Sequence, residues 1–137
     1  VDTVHFCLSE AKLGLLPATI GPYVVRALGE QASRRYFTTA ERFSAIRAHQ
    51  LGLVHEVIAA DALDAKVNDI VAALVANGPA AVKACKRLVQ DVAGRPIDDA
   101  LRADTARRIA DIRASAEGKE GVQSFLDKRS PSWSVKP

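Results

Sequence analysis

The 137-residue chain contains no methionine, only two cysteines and one tryptophan, and 5% aromatic residues. Without methionine it cannot begin at its own initiator residue unless that residue was removed, so a processed or partial chain is expected. Cys7 and Cys85 lie far apart and form no CxxC, which argues against a disulfide framework and a cysteine zinc site and predicts two reduced, buried thiols. No stretch approaches the roughly 18 uninterrupted apolar residues of a membrane helix, and VDTVHFCLSE lacks the basic-then-apolar profile of a secretory signal. The chain therefore reads as cytoplasmic, with no membrane partner. His5, His49 and His55 show no HxxH or HxxxH spacing, so they read as structural and no metal site is expected. Ser9 stands outside any GxSxG elbow, and GLLPATIG has neither the GxGxxG spacing nor the GK[ST] ending of a phosphate loop.

What is present suits one soluble globular domain: 48% hydrophobic and 26% charged residues, with a net charge of +3. That excess favours an anionic ligand but is too small to imply nucleic acid. Basic residues from Lys83 to Lys136 are interleaved with acids, the pattern of solvated helix faces.

TVHFCL (Thr3–Leu8) alternates with β-branched and aromatic residues and predicts a short, mostly buried strand, for which LVHEVI (Leu53–Ile58) is the best pairing partner. Two strands alone are marginal in water, so the sheet is expected to be completed from elsewhere. Between them, Gly14–Pro22 is apolar but broken by two glycines and two prolines, which predicts a shaped loop. VVRALGEQASRRYF predicts a short helix ending at Gly29 with another behind it. SAIRAHQLGL predicts a third, capped by Ser44 and stopped at Gly52.

The rest reads as helical. Asp61 is expected to cap a helix with apolar positions 63, 67, 70, 71 and 74, stopped at Asn77-Gly78-Pro79. Val82, Cys85, Leu88, Val89 and Val92 repeat the pattern, Gly94-Arg95-Pro96 turns the chain, and Ile97, Leu101, Thr105, Ile109 and Ile112 form another stripe. Ser115 begins a last helix carrying Val122, Phe125 and Leu126. Such narrow apolar stripes on charged bodies enclose little core, so either partner subunits or a further half of the fold is expected, or else a self-sufficient helical domain.

Glu10 is the candidate for chemistry. At the end of the first strand, before the apolar loop, its carboxylate could be partly desolvated and its pKa lifted for proton transfer. Ser9-Glu10-Ala11-Lys12 also fits an ordinary helix cap followed by a first-turn acid favoured by the helix dipole.

The run Phe6-Cys-Leu-Ser-Glu10-Ala-Lys-Leu-Gly14-Leu-Leu-Pro17, with Leu28-Gly29, Ala40-Glu-Arg-Phe43, Ala48-His-Gln-Leu-Gly52-Leu-Val54 and Gly121-Val-Gln-Ser-Phe125-Leu-Asp-Lys128-Arg129, resembles the C-terminal half of crotonase-family enoyl-CoA hydratases. The order and spacing of these pieces cover nearly the whole chain. The SEAKLGLLP form resembles hydratases of the leucine and isoprenoid catabolic branch, such as methylglutaconyl-CoA hydratase.

The resemblance implies an α/β, crotonase-like spiral ββα fold of which this chain is the C-terminal half only, mostly α with about two short strands. Residues 1–60 would be the end of the spiral core and 61–137 a helical trimerisation region that covers CoA. It implies a hydro-lyase adding water syn across an α,β-unsaturated acyl-CoA thioester, with no cofactor beyond the CoA of the substrate, in a homotrimer or hexamer. Glu10 matches the second of two acid/base glutamates, the one that exchanges the α-proton. The first follows a Gly-Gly-Gly stretch that these residues lack, and the two backbone donors to the thioester oxygen, worth about 3–4 kcal/mol each, belong to the same absent region. The other half of the same enzyme is therefore an expected partner. Gly14, Leu16, Pro17 and Ala18 match the loop beside the acyl group, with Ala18 in place of the usual glycine. Phe125 and Lys128 match positions that reach the CoA of an adjacent subunit, though a helix-core phenylalanine and a solvated lysine would read the same. Alternatives are an isomerase or hydrolase on this fold, or a catalytically inactive helical module that binds partners. A Gly-Gly-Gly-x-Glu stretch directly upstream in the gene would favour the enzyme.

Overall fold

A computed structural model describes residues 1–134. The chain forms two compact units, Val1–Lys66 and a second from Val67 onward.

In the first unit, β1 (His5–Phe6) pairs antiparallel with β2 (Phe43–Ser44), His5 opposite Ser44 and Phe6 opposite Phe43. This corrects the expected pairing with Leu53–Ile58, which is not a strand. That segment follows the stop at Gly52 (φ 80°) as irregular chain, and its only backbone tie to the N-terminus is the Asp2 amide donating to the Ile58 carbonyl at 2.9 Å. The aromatic residues select the register: the Phe6 and Phe43 rings stack at 5.6 Å, and Tyr36 meets Phe43 at 4.2 Å. The strand is also less buried than expected, with His5 exposed and Phe6 half-buried.

Between the strands, a 3₁₀ turn (Glu10–Leu13) and a loop lead to α1 (Gly21–Thr39). Gly29, at φ 78° and ψ 165°, interrupts α1, so two short helices run where the glycine predicted a break. α2 (Ala45–Gln50) starts at Ser44, whose hydroxyl accepts from the Arg47 amide at 3.2 Å. Leu8, Leu28, Tyr36, Phe43 and Ala48 form the core, with Phe6, Val24 and Leu53 packed against it.

The remaining elements are α3 (Leu63–Val75), α4 (Pro79–Val92), α5 (Asp99–Ala114) and α6 (Ala116–Leu126). Asp61 does not cap α3: it lies inside a preceding 3₁₀ turn, Ala60–Ala62. α4 opens on Pro79, whose missing N–H costs nothing in a first turn. Asp98 caps α5 through the Leu101 amide at 2.8 Å. Ser115 both ends α5 and caps α6, its hydroxyl accepting from the Gly118 amide at 3.0 Å.

A carboxylate from α6 ties it to α4. Glu117 accepts from the Ala80 and Ala81 amides at 3.0 and 2.8 Å, filling two donors that a helix N-terminus leaves open. Leu101 is the one buried hydrophobic among the described residues of this unit, while Val67, Ile70, Val71, Leu74 and Val75 of α3 are exposed. The enclosed core is as small as the narrow stripes predicted. Both thiols are exposed rather than buried, because Cys85 lies on an open face of α4 and Cys7 on the rim of the short sheet.

Candidate functional site

The sequence-derived site residues fall on both units. Glu10, Gly14, Leu16, Pro17 and Ala18 share one continuous stretch of the first, and Phe125 and Lys128 lie at the end of α6 in the second.

Ser9 stands at the cap position before Glu10, but its hydroxyl accepts no capping hydrogen bond. Glu10 opens the 3₁₀ turn. Its carbonyl accepts from the Leu15 amide at 3.0 Å, and the turn ends at Gly14, whose φ of 70° favours a residue without Cβ. The side chain is half-buried, and one carboxyl oxygen, Oε2, is fully covered without a hydrogen-bond partner. Buried polar atoms are nearly always paired, so this oxygen is an exception within the fold, one it shares with Ser33 Oγ and Trp133 Nε1.

Beyond Gly14, the Ala18 amide donates to the Leu16 carbonyl at 2.8 Å, a three-residue turn centred on Pro17. Proline's fixed φ, near −65°, suits that central position. The Gly21 amide then donates to the Pro17 carbonyl at 2.7 Å, handing the loop to α1. Pro17 is buried, whereas Leu13, Leu15 and Leu16 are 74%, 62% and 73% exposed. The loop thus presents an outward apolar surface directly after the carboxylate. A cavity of about 360 Å³ opens in the same unit, lined by Phe6, Cys7, Leu8, Ile20, Val24, Leu28 and neighbouring residues. None of the candidate residues lines it, and the sequence assigned its walls no functional role, although several belong to the family-like segments.

Phe125 is 82% exposed, which rules out a helix-core role within the described residues. At the end of α6 the Arg129 amide donates to the Ser124 carbonyl at 3.0 Å and the Lys128 amide to Phe125 at 3.2 Å. This pair of bonds is a Schellman cap, whose left-handed residue is usually glycine. Here it is Lys128, at φ 54°, a conformation costing a side-chain-bearing residue about 1–2 kcal/mol. Its exposed ammonium sits at a helix C-terminus, where the dipole favours a cation.

Two groups that the sequence did not pair hold this turn. Arg129 Nη1 and Nη2 donate to Glu120 Oε1 and Oε2 at 2.7 and 2.9 Å, and the Ser132 amide donates to Oε1 at 2.9 Å. The Arg129 guanidinium, with the Ser132 amide, pulls the Glu120 carboxyl down to about 2. The nine-residue separation fits no helical spacing, so only the turn after α6 brings the pair together. Among the described residues, no three His, Cys, Asp or Glu side chains converge as a metal site would need, and no helix is long and apolar enough to cross a membrane.

The chain is 35% identical over 138 residues to an enoyl-CoA hydratase of Alternaria alternata, covering 97% of this chain and 45% of that protein. It is 27% identical over 136 residues to the carnitinyl-CoA dehydratase of Citrobacter koseri, covering 96% and 52%. A solved Legionella pneumophila structure described as a putative enoyl-CoA hydratase/isomerase (crotonase) matches at 46% identity and a TM-score of 0.89, over 95% of this chain and 50% of that one. The fold is therefore crotonase-like, and the chain spans about half the length of the curated relatives it matches. Residues 1–136 match the enoyl-CoA hydratase/isomerase family model, and the chain belongs to that family.

Proposed function

We propose that this chain carries one half of the active site of a hydro-lyase that adds water syn across an α,β-unsaturated acyl-CoA. The observation that carries this reading is the unpartnered, covered Glu10 Oε2 beside an apolar loop, in a chain of this family. In the proposed reaction Glu10 gives a proton to the α-carbon as a second carboxylate takes one from water and the hydroxyl joins the β-carbon. In the dehydration direction Glu10 removes the α-proton. The second carboxylate and the two backbone donors to the thioester oxygen are supplied from outside residues 1–137, in the other half of the same enzyme.

Gly14, Leu16, Pro17 and Ala18 shape the wall beside the acyl group, where apolar side chains exclude water and strengthen nearby electrostatics. The SEAKLGLLP form supports an acyl group of the leucine-catabolic type. Phe125 and Lys128 serve the CoA of an adjacent subunit, the lysine as a point charge for phosphate, in a trimer or a hexamer of two trimers. The chemistry as proposed needs no metal or redox cofactor, and CoA enters only as part of the substrate.

Glu10→Gln in the catalytically complete protein is expected to lower hydration of an enoyl-CoA about 10²–10⁴-fold with little change in thioester binding. Unchanged turnover would remove Glu10 from the acid/base role. A denaturing intact-mass spectrum of the native material should also show a second polypeptide or a longer chain. A lone 14.7 kDa species with hydratase activity would contradict the need for outside residues.

A further inference from the structure

The turn after α6 is built around a residue that ordinary helix capping would not place there. Glycine is usual at this left-handed position because it has no Cβ, yet the residue is Lys128 at φ 54°. Left-handed non-glycine conformations persist where surrounding contacts over-determine them. Those contacts are present: Arg129, the next residue, is gripped at both Nη atoms by Glu120, and the same carboxylate accepts from the Ser132 amide. Arg129 Nε also lies 3.5 Å from Asp127 Oδ2, a pair that spans Lys128. Behind them the Trp133 ring lies against Gly121, where a Cβ would come within 3.1 Å of Cη2. The ammonium of Lys128 enters none of the ion pairs formed among the described residues.

We propose that Glu120 is a positioning residue: by clasping Arg129 and the Ser132 amide, it fixes the left-handed turn that presents the Lys128 ammonium to an anionic ligand. The inference rests on the reading that Lys128 meets a CoA phosphate, and it adds the device that aims the lysine. Glu120 touches no ligand in this scheme. Its effect passes entirely through the backbone at Lys128, whose charge is useful only while the turn points it one way.

The test is CoA affinity of the native protein by titration calorimetry at low and moderate salt, for wild type, Lys128→Gln, Glu120→Gln and the double variant. Lys128→Gln is expected to weaken binding about threefold to tenfold and to flatten its salt dependence. Glu120→Gln should give most of the same loss with α6 still helical, and the double variant should bind no worse than Lys128→Gln alone. If Glu120→Gln disturbs folding, Arg129→Lys, which keeps the charge but loses the two-pronged grip, should shift affinity in the same direction. Lys128→Gln weakening binding while neither clasp variant does would overturn the positioning role alone. Additive losses in the double variant would also overturn it, since Glu120 would then act independently of Lys128. Absence of CoA binding, or binding indifferent to Lys128→Gln, would overturn the Lys128 reading and the clasp proposal with it.

Discussion

Replacing Gly118 by alanine is expected to destabilise the protein, although helix propensity alone argues the opposite. Gly118 lies in the first turn of α6 with an ordinary helical backbone, where alanine is favoured by about 1 kcal/mol. The obstacle is space. Ser115 alone separates α5 from α6, and this tight corner brings the first turn of α6 onto the last turn of α5. A Cβ at Gly118 would lie 2.1 Å from the Ile112 carbonyl oxygen, 3.0 Å from the Arg113 Cα and 3.1 Å from the Arg113 carbonyl oxygen. All three are backbone atoms, which cannot rotate aside as a side chain would, so the helices must separate by a substantial part of an ångström or more. Overpacking of this kind costs about 1–3 kcal/mol and occasionally more. With the propensity gain subtracted and the severity of the clash weighed, the expected loss is about 2 kcal/mol, or roughly 8 °C in Tm. Trp133 is the sole tryptophan and packs on Gly121 of the same unit, so its fluorescence during thermal unfolding reports this region directly. A Gly118→Ala protein melting at or above the wild-type temperature would refute the packing argument and leave propensity in charge.

The remaining expectations concern caps, backbone and pH. Glu117→Ala should cost about 1–2 kcal/mol in urea unfolding, because the Ala80 and Ala81 amides lose their shared carboxylate; an unchanged midpoint would mean water replaces it without loss. Gly29→Ala should cost about 1–3 kcal/mol purely through its backbone, as nothing lies within 4 Å of the added Cβ while φ 78°, ψ 165° is nearly confined to glycine; equal stability would show that α1 can straighten there. The Glu120 carboxyl falls from an ordinary 4.5 to about 2 in the folded chain, so its stabilising contribution is complete above about pH 4.5 and fades as the pH drops toward 2. Acid titrations followed by Trp133 fluorescence should therefore differ between wild type and Glu120→Gln in that window, and parallel curves would count against the clasp.

Much of the local structure was legible because its causes lie within a few residues. Ser44 and Ser115 cap the helices they precede through an amide three positions on, and Gly14, Gly29 and Gly52 take the left-handed or extended positive-φ backbone that glycine tolerates. Pro17 and Pro79 lack an amide where none is needed. The order of the family-like segments also identified the family before any geometry. Long-range pairing was not legible. Phe43–Ser44 displaced Leu53–Ile58 as the partner of β1 because aromatic packing with Phe6 and Tyr36 selects it, and alternation within LVHEVI carries no record of that contact. The two cysteines read as buried from residue type, yet exposure depends on what covers a surface. Glu117 reaching α4, Glu120 meeting Arg129 and the crowding at Gly118 likewise depend on how the helices turn and pack. The sequence by itself determined most helix starts and stops, since those signals act over one or two turns, although Asp61 fell inside a 3₁₀ turn instead of capping α3. Only the tertiary structure decided which side chains meet across a turn or between elements, because such contacts depend on the path of the chain between them.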